Sequence, residues 1–126
     1  MKMYWSLILL ALINSGTVLG QFAEFSFDQK VHKFDEVTEG AVLECDFPFV
    51  NSGDVPLIIS NHKVECSCTQ VTYPSTPILP GDSAIVHVRF DSNGKLGWQY
   101  RPIQLYANTK KNPSKIEIRV KVNSKE

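Results

Sequence analysis

The sequence is short of cysteine, of net charge and of long apolar runs, and each shortage limits what the protein can be. Three cysteines among 126 residues are too few for a domain held together mainly by disulfides. Thirteen Lys and Arg residues balance thirteen Asp and Glu residues, so no basic excess favours nucleic acid or an anionic membrane surface as a partner. The main apolar stretch, residues 4–13, is about half of the roughly 20 residues that cross a bilayer.

Residues 1–20 have the features of a secretory signal peptide. Lys2 gives a positive start, residues 4–13 form the apolar segment, and Val18-Leu19-Gly20 supplies the modest side chains that a signal peptidase reads. We expect cleavage at this point, which leaves 126 − 20 = 106 residues, the size of one domain over 21–126. The predicted location is the periplasm or the outside of the cell, without membrane insertion after cleavage.

Motifs of the common enzyme classes are also missing. The sequence has no Gly-x-Ser-x-Gly elbow, no His-Glu-x-x-His pair and no glycine-rich phosphate loop. Its histidines, His32, His62 and His87, are scattered, and His87 is expected to be solvated on the wet face of a strand beside Arg89. We therefore expect a protein that is not an enzyme and that needs no cofactor.

What the sequence does have is an alternation of apolar and polar side chains with a period of two. The clearest cases are residues 25–28, 43–49, 84–91 and 116–122. This period is that of a strand with one buried and one wet face, and no stretch shows a sustained helical period. Strands therefore dominate the predicted secondary structure.

Turn sequences separate these strands at short intervals. Pro80-Gly81-Asp82 suits a turn in which glycine takes a positive φ, and Asn93-Gly94 is a strong hairpin signal. Seven or eight short antiparallel strands joined in this way predict an all-β, immunoglobulin-like sandwich of two sheets.

A longer pattern of motifs runs through residues 21–126. Its parts are, in order, Phe34-x-x-Val37-x-Glu39-Gly40, Phe47-x-Phe49-x-Asn51-x-Gly53-x-x-Pro56-Leu57-x-Ile59, Cys66-x-Cys68-Thr69, Pro80-Gly81, Phe90-Asp91, Gly97, Ile103-x-Leu105 and Asn108. This pattern resembles domain of unknown function fifteen-seventy-three, a family of small exported bacterial domains common in Bacteroidetes and typified by a Cys-Gly-Cys-Thr motif. The resemblance implies an immunoglobulin-like sandwich outside the cytoplasm and no established chemistry.

The chain departs from that family pattern at two positions. Asp35 and Ser67 stand where glycine is usual. Because serine resists a tight turn that glycine allows, we expect Cys66 and Cys68 to lie in extended backbone. Their α-carbons would then be about 6.6 Å apart, at the upper limit for a disulfide.

Cys45 has the strand parity of Leu43, Phe47 and Phe49 and is expected to point into the sandwich. A bridge from Cys45 to Cys66 or Cys68 is the favoured arrangement, since disulfides persist outside the cytoplasm. Two alternatives stay open. In the first, all three thiols are unbridged and pack as small apolar side chains. In the second, Cys66 and Cys68 form a strained direct bond.

Metal or redox chemistry at the cysteines is the alternative function. His62, Cys66 and Cys68, with Cys45 as a fourth ligand, would make a nitrogen and sulfur set of the kind zinc accepts, although their spacing fits no standard zinc motif. We expect no metal. A reactive pair normally reads Cys-x-x-Cys beside a cation or a helix N-terminus, whereas Cys-x-Cys here follows the acidic Glu65.

A candidate contact surface lies near the C-terminus. Trp98, Tyr100 and Tyr106 have the opposite parity to the apolar Ile103 and Leu105 and are expected to point outward. Aromatic side chains contribute large contact areas at low entropic cost, although a bulge after Gly97 would reverse their direction. The leading hypothesis is a non-catalytic exported module that binds another protein or an envelope component through a sheet face or edge.

Overall fold

The structure, a computed structural model, describes residues 21–126, and the predicted signal peptide at 1–20 lies outside the described residues. Every regular element within 21–126 is a strand, so that part of the chain contains no helix that could cross a membrane. The strands are β1 Phe25–Phe27, β2 Val31–Lys33, β3 Val37–Thr38, β4 Val42–Asn51, β5 Ile59–Val64, β6 Thr69–Thr72, β7 Ser83–Asp91, β8 Gly97–Ala107 and β9 Ser114–Asn123.

The strands form two sheets, which confirms the predicted all-β sandwich. The four-stranded sheet has the order β1-β4-β7-β6, and the five-stranded sheet has the order β2-β9-β8-β5 with β3 also paired to β9. The structure adds β2 and β3, which run parallel to β9 rather than antiparallel. In β2 the apolar Val31 faces outward and His32 faces inward, so its pattern gives no strand signal, and β3 has only two residues.

The apolar positions of the alternating segments meet between the two sheets. Val86, Val88 and Phe90 of β7 are at most 1% exposed, and all four apolar residues of β9 are at most 2% exposed. Each such side chain contributes about 1.5–3 kcal/mol when it leaves water, so this dry layer stabilises the domain. The residues left outside it are the ones available for contacts.

The predicted turns form, but one of them has a different role. Gly81 and Gly94 have φ values of 84° and 74°, which a side chain would oppose. The predicted hairpin at Asn93-Gly94 is wrong, because β7 belongs to the four-stranded sheet and β8 to the five-stranded sheet. A local dipeptide specifies a reversal of direction, whereas the sheet that the next strand joins depends on where its apolar side chains become buried.

Asn51 organises one end of the sandwich. Its buried side chain donates to the carbonyls of Val55 and Ile78 at 2.8 and 2.9 Å and accepts from the amides of Glu24 and Gly53. A Cβ at Gly53 would lie 2.3 Å from the carbonyl oxygen of Phe22, so only glycine fits there. The N-terminal segment is therefore held against the end of β4.

Candidate functional site

Trp98 and Tyr100 form a half-exposed aromatic pair on β8. Their side chains are 49% and 53% exposed, and their rings stack with centroids 6.2 Å apart and planes 22° apart. Ile103 and Leu105, of opposite parity on the same strand, are fully buried. The strand therefore keeps one register from end to end, and the pair stands on the outer surface of the five-stranded sheet.

Tyr106 shares the outward direction but lies apart from the stacked pair. It is half-buried, and its hydroxyl donates to Gln104 at 3.3 Å. The structure thus brings two of the three predicted contact residues together and leaves the third at the far end of β8.

Cations surround the aromatic pair. The ammonium of Lys33 lies 5.4 Å from the ring centroid of Trp98, and the guanidinium of Arg119 lies 5.7 Å from that of Tyr100. Both separations are within the range of cation–π attraction. Arg119 also pairs with Glu117 at 3.1 Å, which orients its guanidinium. The rings are therefore held in place by charged neighbours.

We call the outer surface of the five-stranded sheet the aromatic face. Besides Trp98 and Tyr100, its outward charged residues are five cations and two carboxylates. These are Lys33 of β2, Lys63 of β5, Lys115, Arg119 and Lys121 of β9, Glu117 of β9, and Glu36 before β3, which lies 3.6 Å from Lys121. The local excess is 5 − 2 = 3 positive charges, although the whole sequence is neutral.

We call the outer surface of the four-stranded sheet the histidine face. On it, His87 lies between two carboxylates, with Nδ1 2.6 Å from Asp46 and Nε2 3.3 Å from Glu44. The hydrogen bond to Asp46, followed by that to Glu44, raises the pKa of His87. The solvated histidine expected from the sequence is therefore part of a charged cluster. The signal that could have revealed this cluster is the cross-strand pairing of Asp46 with His87, but that pairing can be recognised only when the register between β4 and β7 is known.

Among the cysteines, the structure bonds Cys66 to Cys68 and leaves Cys45 free. This differs from the expected bridge of Cys45 to Cys66 or Cys68. Cys45 is opposite Val88 of β7, and β7 separates β4 from β6, whose first residue directly follows Cys68. Two strand spacings amount to about 9.6 Å, beyond the reach of a disulfide.

The expected extended backbone at Cys66 and Cys68 is also wrong. Ser67 and Cys68 form a turn in which the amide of Thr69 donates to the carbonyl of Cys66 at 3.1 Å, and the two cysteine α-carbons lie 5.1 Å apart. No residue other than glycine has a positive φ in 21–126, so Ser67 forms this turn without the conformation that favours glycine. A bridge that closes a loop of only three residues restricts the unfolded chain little and contributes about 1.5 kcal/mol to stability. The expected loop between Cys45 and Cys66 would contribute about 3 kcal/mol.

The four candidate metal ligands are not brought together. Nδ1 of His62 lies 2.8 Å from the hydroxyl of Tyr73, and no three His, Cys, Asp or Glu residues in 21–126 are grouped to hold a metal. Burial, with a smaller effect of Asp46, raises the pKa of Cys45 to about 11, which keeps the thiol protonated, whereas zinc binds the thiolate. A centre built on Cys45, Cys66 and Cys68 therefore has no geometric support.

A groove of about 640 Å³ lies at the end of the sandwich near Asn51, and the sequence did not predict it. Three phenylalanines and four lysines contribute to its lining, and they come from separate segments that only the fold assembles. They are Phe22, Phe25, Phe27, Lys30, Lys110, Lys111 and Lys115. Lys115 also belongs to the aromatic face, so the groove and that face are adjacent.

Comparisons with known proteins agree on the fold. The family described as Protein of unknown function (DUF1573) matches residues 25–122. No curated protein matches the sequence. Three solved structures are similar over most of residues 21–126, and at 11–15% identity their likeness shows the fold alone.

The first of these is a protein of unknown function from Porphyromonas gingivalis, with a TM-score of 0.66, 15% identity, and coverage of 80% of this chain and 46% of that one. The second is the ASH/PapD-like domain 7 of human CEP192, with a TM-score of 0.64, 11% identity, and coverage of 83% and 89%. The third is the secreted serine protease VesC from Vibrio cholerae, with a TM-score of 0.62, 15% identity, and coverage of 78% and 23%. The chain thus spans less than half of the Porphyromonas protein and about a quarter of the protease.

Proposed function

The chain belongs to the DUF1573 family, which is a family of unknown function. From its surface, we propose that it is a non-catalytic exported module that binds a protein or a cell-envelope component. The immunoglobulin-like fold supports this proposal, since such sandwiches present sheet faces and edges to partners. Export and a Bacteroidetes-type origin remain predictions from residues 1–20 and from the motif pattern.

The observation that carries the proposal is the stacked pair Trp98 and Tyr100 near the start of β8, on the outer surface of the five-stranded sheet. Large aromatic side chains that stay half in water lose favourable burial unless a partner covers them. The β8–β9 ladder fixes the backbone of both residues over the whole pair, with Trp98 opposite Lys121 and Tyr100 opposite Arg119. Their rings are therefore presented in one orientation, and a partner that covers them orders little that is not already ordered.

The charges around the pair indicate the chemistry of the partner. Lys33, Arg119 and Lys121 lie beside the pair, and the whole face has five cations against two carboxylates, so the complementary surface carries anionic groups next to an apolar centre. A partner protein with carboxylates around an apolar residue has this chemistry, and so does an acidic envelope component. The three positive charges in excess would mainly increase the rate of association.

The test is photo-crosslinking from matched positions on the two faces. A photoreactive amino acid replaces Tyr100, 53% exposed, or Ile85 of the histidine face, 46% exposed, and each protein is irradiated with fractions of the cell envelope. We expect a discrete adduct from position 100 that disappears when Trp98→Ala is added, and no such adduct from position 85. Equal adducts from both positions, or none from position 100, would contradict the proposed surface.

A further inference from the structure

We propose that the Cys66–Cys68 bond is a site of thiol–disulfide exchange, reduced by a thiol donor that enters the groove beside it. The proposal concerns a different region from the aromatic face, so either can fail without the other. It assigns chemistry to two cysteines that the binding function does not use.

A groove gives access to the bond. Its volume is about 320 Å³, and both cysteines line it together with the exposed Ser67 between them. Cys66 and Cys68 are half-buried rather than enclosed. The remaining lining residues are Gln70, Arg89, Asp91, Asn93 and Lys95.

The groove supplies the cations that the sequence around the cysteines lacks. Arg89 of β7 and Lys95 of the turn after it line the groove, against one carboxylate from Asp91. Arg89 also lies 4.0 Å from Glu44, so Lys95 is the cation that is more available to an incoming thiolate. Positive charge stabilises both an approaching thiolate and the thiolate that leaves. Glu65, the acidic neighbour that argued against redox chemistry, does not line the groove.

The hydrogen bonding distinguishes the two sulfurs. The amide of Cys68 donates to Sγ of Cys66 at 3.1 Å, which stabilises negative charge on that sulfur. Cys68 instead packs against the apolar core, and its sulfur has only the longer contact of 3.9 Å with the Thr69 hydroxyl. Because both cysteines line the groove, the stability of the leaving thiolate decides the direction. The incoming thiolate therefore bonds to Cys68, and Cys66 leaves.

The step balances as an ordinary two-electron exchange. A thiolate of the donor forms a bond with Sγ of Cys68, and the Cys66–Cys68 bond breaks to release Cys66 as a thiolate. A second thiol of the donor, as its thiolate, then bonds to the first donor sulfur and releases Cys68. The donor ends as a disulfide, and the two protons of its thiols end on Cys66 and Cys68. A dithiol of another protein is the class of reductant that completes both steps.

The bond is poorly placed to be a structural crosslink. It joins residues two apart on one turn and links no two strands of the sandwich. The core residues on both sheets are buried without it. The domain should therefore remain folded when the bond is reduced, which a redox site requires.

The first test measures reduction of the folded chain by dithiothreitol and by glutathione, with alkylation and mass analysis at each time. We expect one free thiol, Cys45, before reduction and three after it, with the circular dichroism spectrum unchanged. Early in the glutathione reaction, peptide mapping should find glutathione on Cys68. Three free thiols before reduction, reduction only in denaturant, or unfolding on reduction would each overturn the proposal. Glutathione found on Cys66 would overturn the order of attack.

The second test separates the groove from general thiol reactivity. Lys95→Gln should slow reduction by the anionic glutathione about threefold and leave reduction by neutral 2-mercaptoethanol less affected, because it removes one positive charge from the groove. Lys110→Gln, an exposed lysine outside the groove, is the matched control and should leave both rates unchanged. Equal rates in the wild type and Lys95→Gln would show that the groove does not assist exchange and would overturn its assigned role.

Discussion

The aromatic face and the histidine face are the two outer surfaces of one sandwich, built by the same alternation of side chains, yet their chemistry is opposite. The aromatic face has five cations and two carboxylates in addition to Trp98 and Tyr100. The outward residues of β4 and β7 on the histidine face include three carboxylates, Glu44, Asp46 and Asp91, against Arg89 and the titratable His87. The aromatic face therefore has an excess of cations that suits an anionic partner, whereas on the histidine face Glu44 and Asp46 already pair with His87 and Arg89.

The difference shows that a neutral sequence can present two strongly charged surfaces. On the histidine face, cross-strand neighbours satisfy each other, since His87 contacts both Asp46 and Glu44. On the aromatic face, the cations Lys33 and Arg119 lie over rings rather than over carboxylates alone. A net charge of zero thus argues against an anionic partner only when positive and negative residues are mixed over the whole surface. Here the two sheets separate them onto different faces.

The largest predicted effect tests whether the aromatic pair contributes to the stability of the core. Ile103→Ala, on the buried side of β8, should lower the free energy of unfolding by about 3 kcal/mol, because it leaves a cavity among fully buried residues. Trp98→Ala, on the exposed side, should lower it by less than about 1 kcal/mol. Urea unfolding of both variants gives the two values. A loss of several kcal/mol for Trp98→Ala would mean that the aromatic face is part of the structural core.

A smaller effect should distinguish the histidine face by pH. The pKa of His87 is raised above 6.5, so the folded state binds the proton more tightly than the unfolded state. The stabilisation by His87 is then complete below pH 6.5 and is lost as the pH rises through the folded pKa. Because 42% of the side chain is exposed and the contacts are screened by solvent, the effect should be about 0.5 kcal/mol or less.

The measurement is the difference in unfolding free energy between the wild type and His87→Gln from pH 5 to pH 8.5. That difference should shrink as the pH rises. Lys121→Gln on the aromatic face is the control, since its difference from the wild type should stay constant in this range. A constant difference for His87→Gln would show that the contacts with Asp46 and Glu44 do not form in solution.

The smallest predicted effect reports the sign of the field at Trp98. This is the only tryptophan in residues 21–126, so its fluorescence can be read alone in a Trp5→Phe background. Iodide should quench it more efficiently than caesium, because cations surround the ring. Lys33→Gln should reduce the ratio of iodide to caesium quenching, whereas Lys110→Gln should not. Equal quenching by the two ions would mean that the aromatic face has no positive field.

Much of the fold could be predicted from the sequence because alternation is a local property. The inward residues of β7 and β9 are buried as their period of two indicates, and Trp98 and Tyr100 point outward as the parity of β8 requires. The strands β2 and β3 could not be predicted, since in β2 the apolar Val31 faces outward and His32 inward, and β3 has only two residues. The destination of the chain after Asn93-Gly94 could not be predicted either, because a turn does not specify the sheet that follows it.

The candidate sites depended more on contacts between distant segments. Parity placed Cys45 inward, but the position of β7 between Cys45 and the other two cysteines excluded the expected bridge. Ser67 was expected to prevent a turn, yet the turn at Cys66 needs no positive φ. The cations of the cysteine groove come from β7 and the turn that follows it.

The sequence by itself determined that the chain forms strands, which side chains of each long strand are buried, and where the chain reverses, because all three follow from neighbours one to three residues apart. Only the tertiary structure decided which strands share a sheet, and hence which charges face one another, which cysteines can meet and which cations line a groove. The physical reason is distance: hydrogen bonds, ion pairs and disulfides act over a few ångströms, and the residues that meet at that range are separated by tens of positions in the chain.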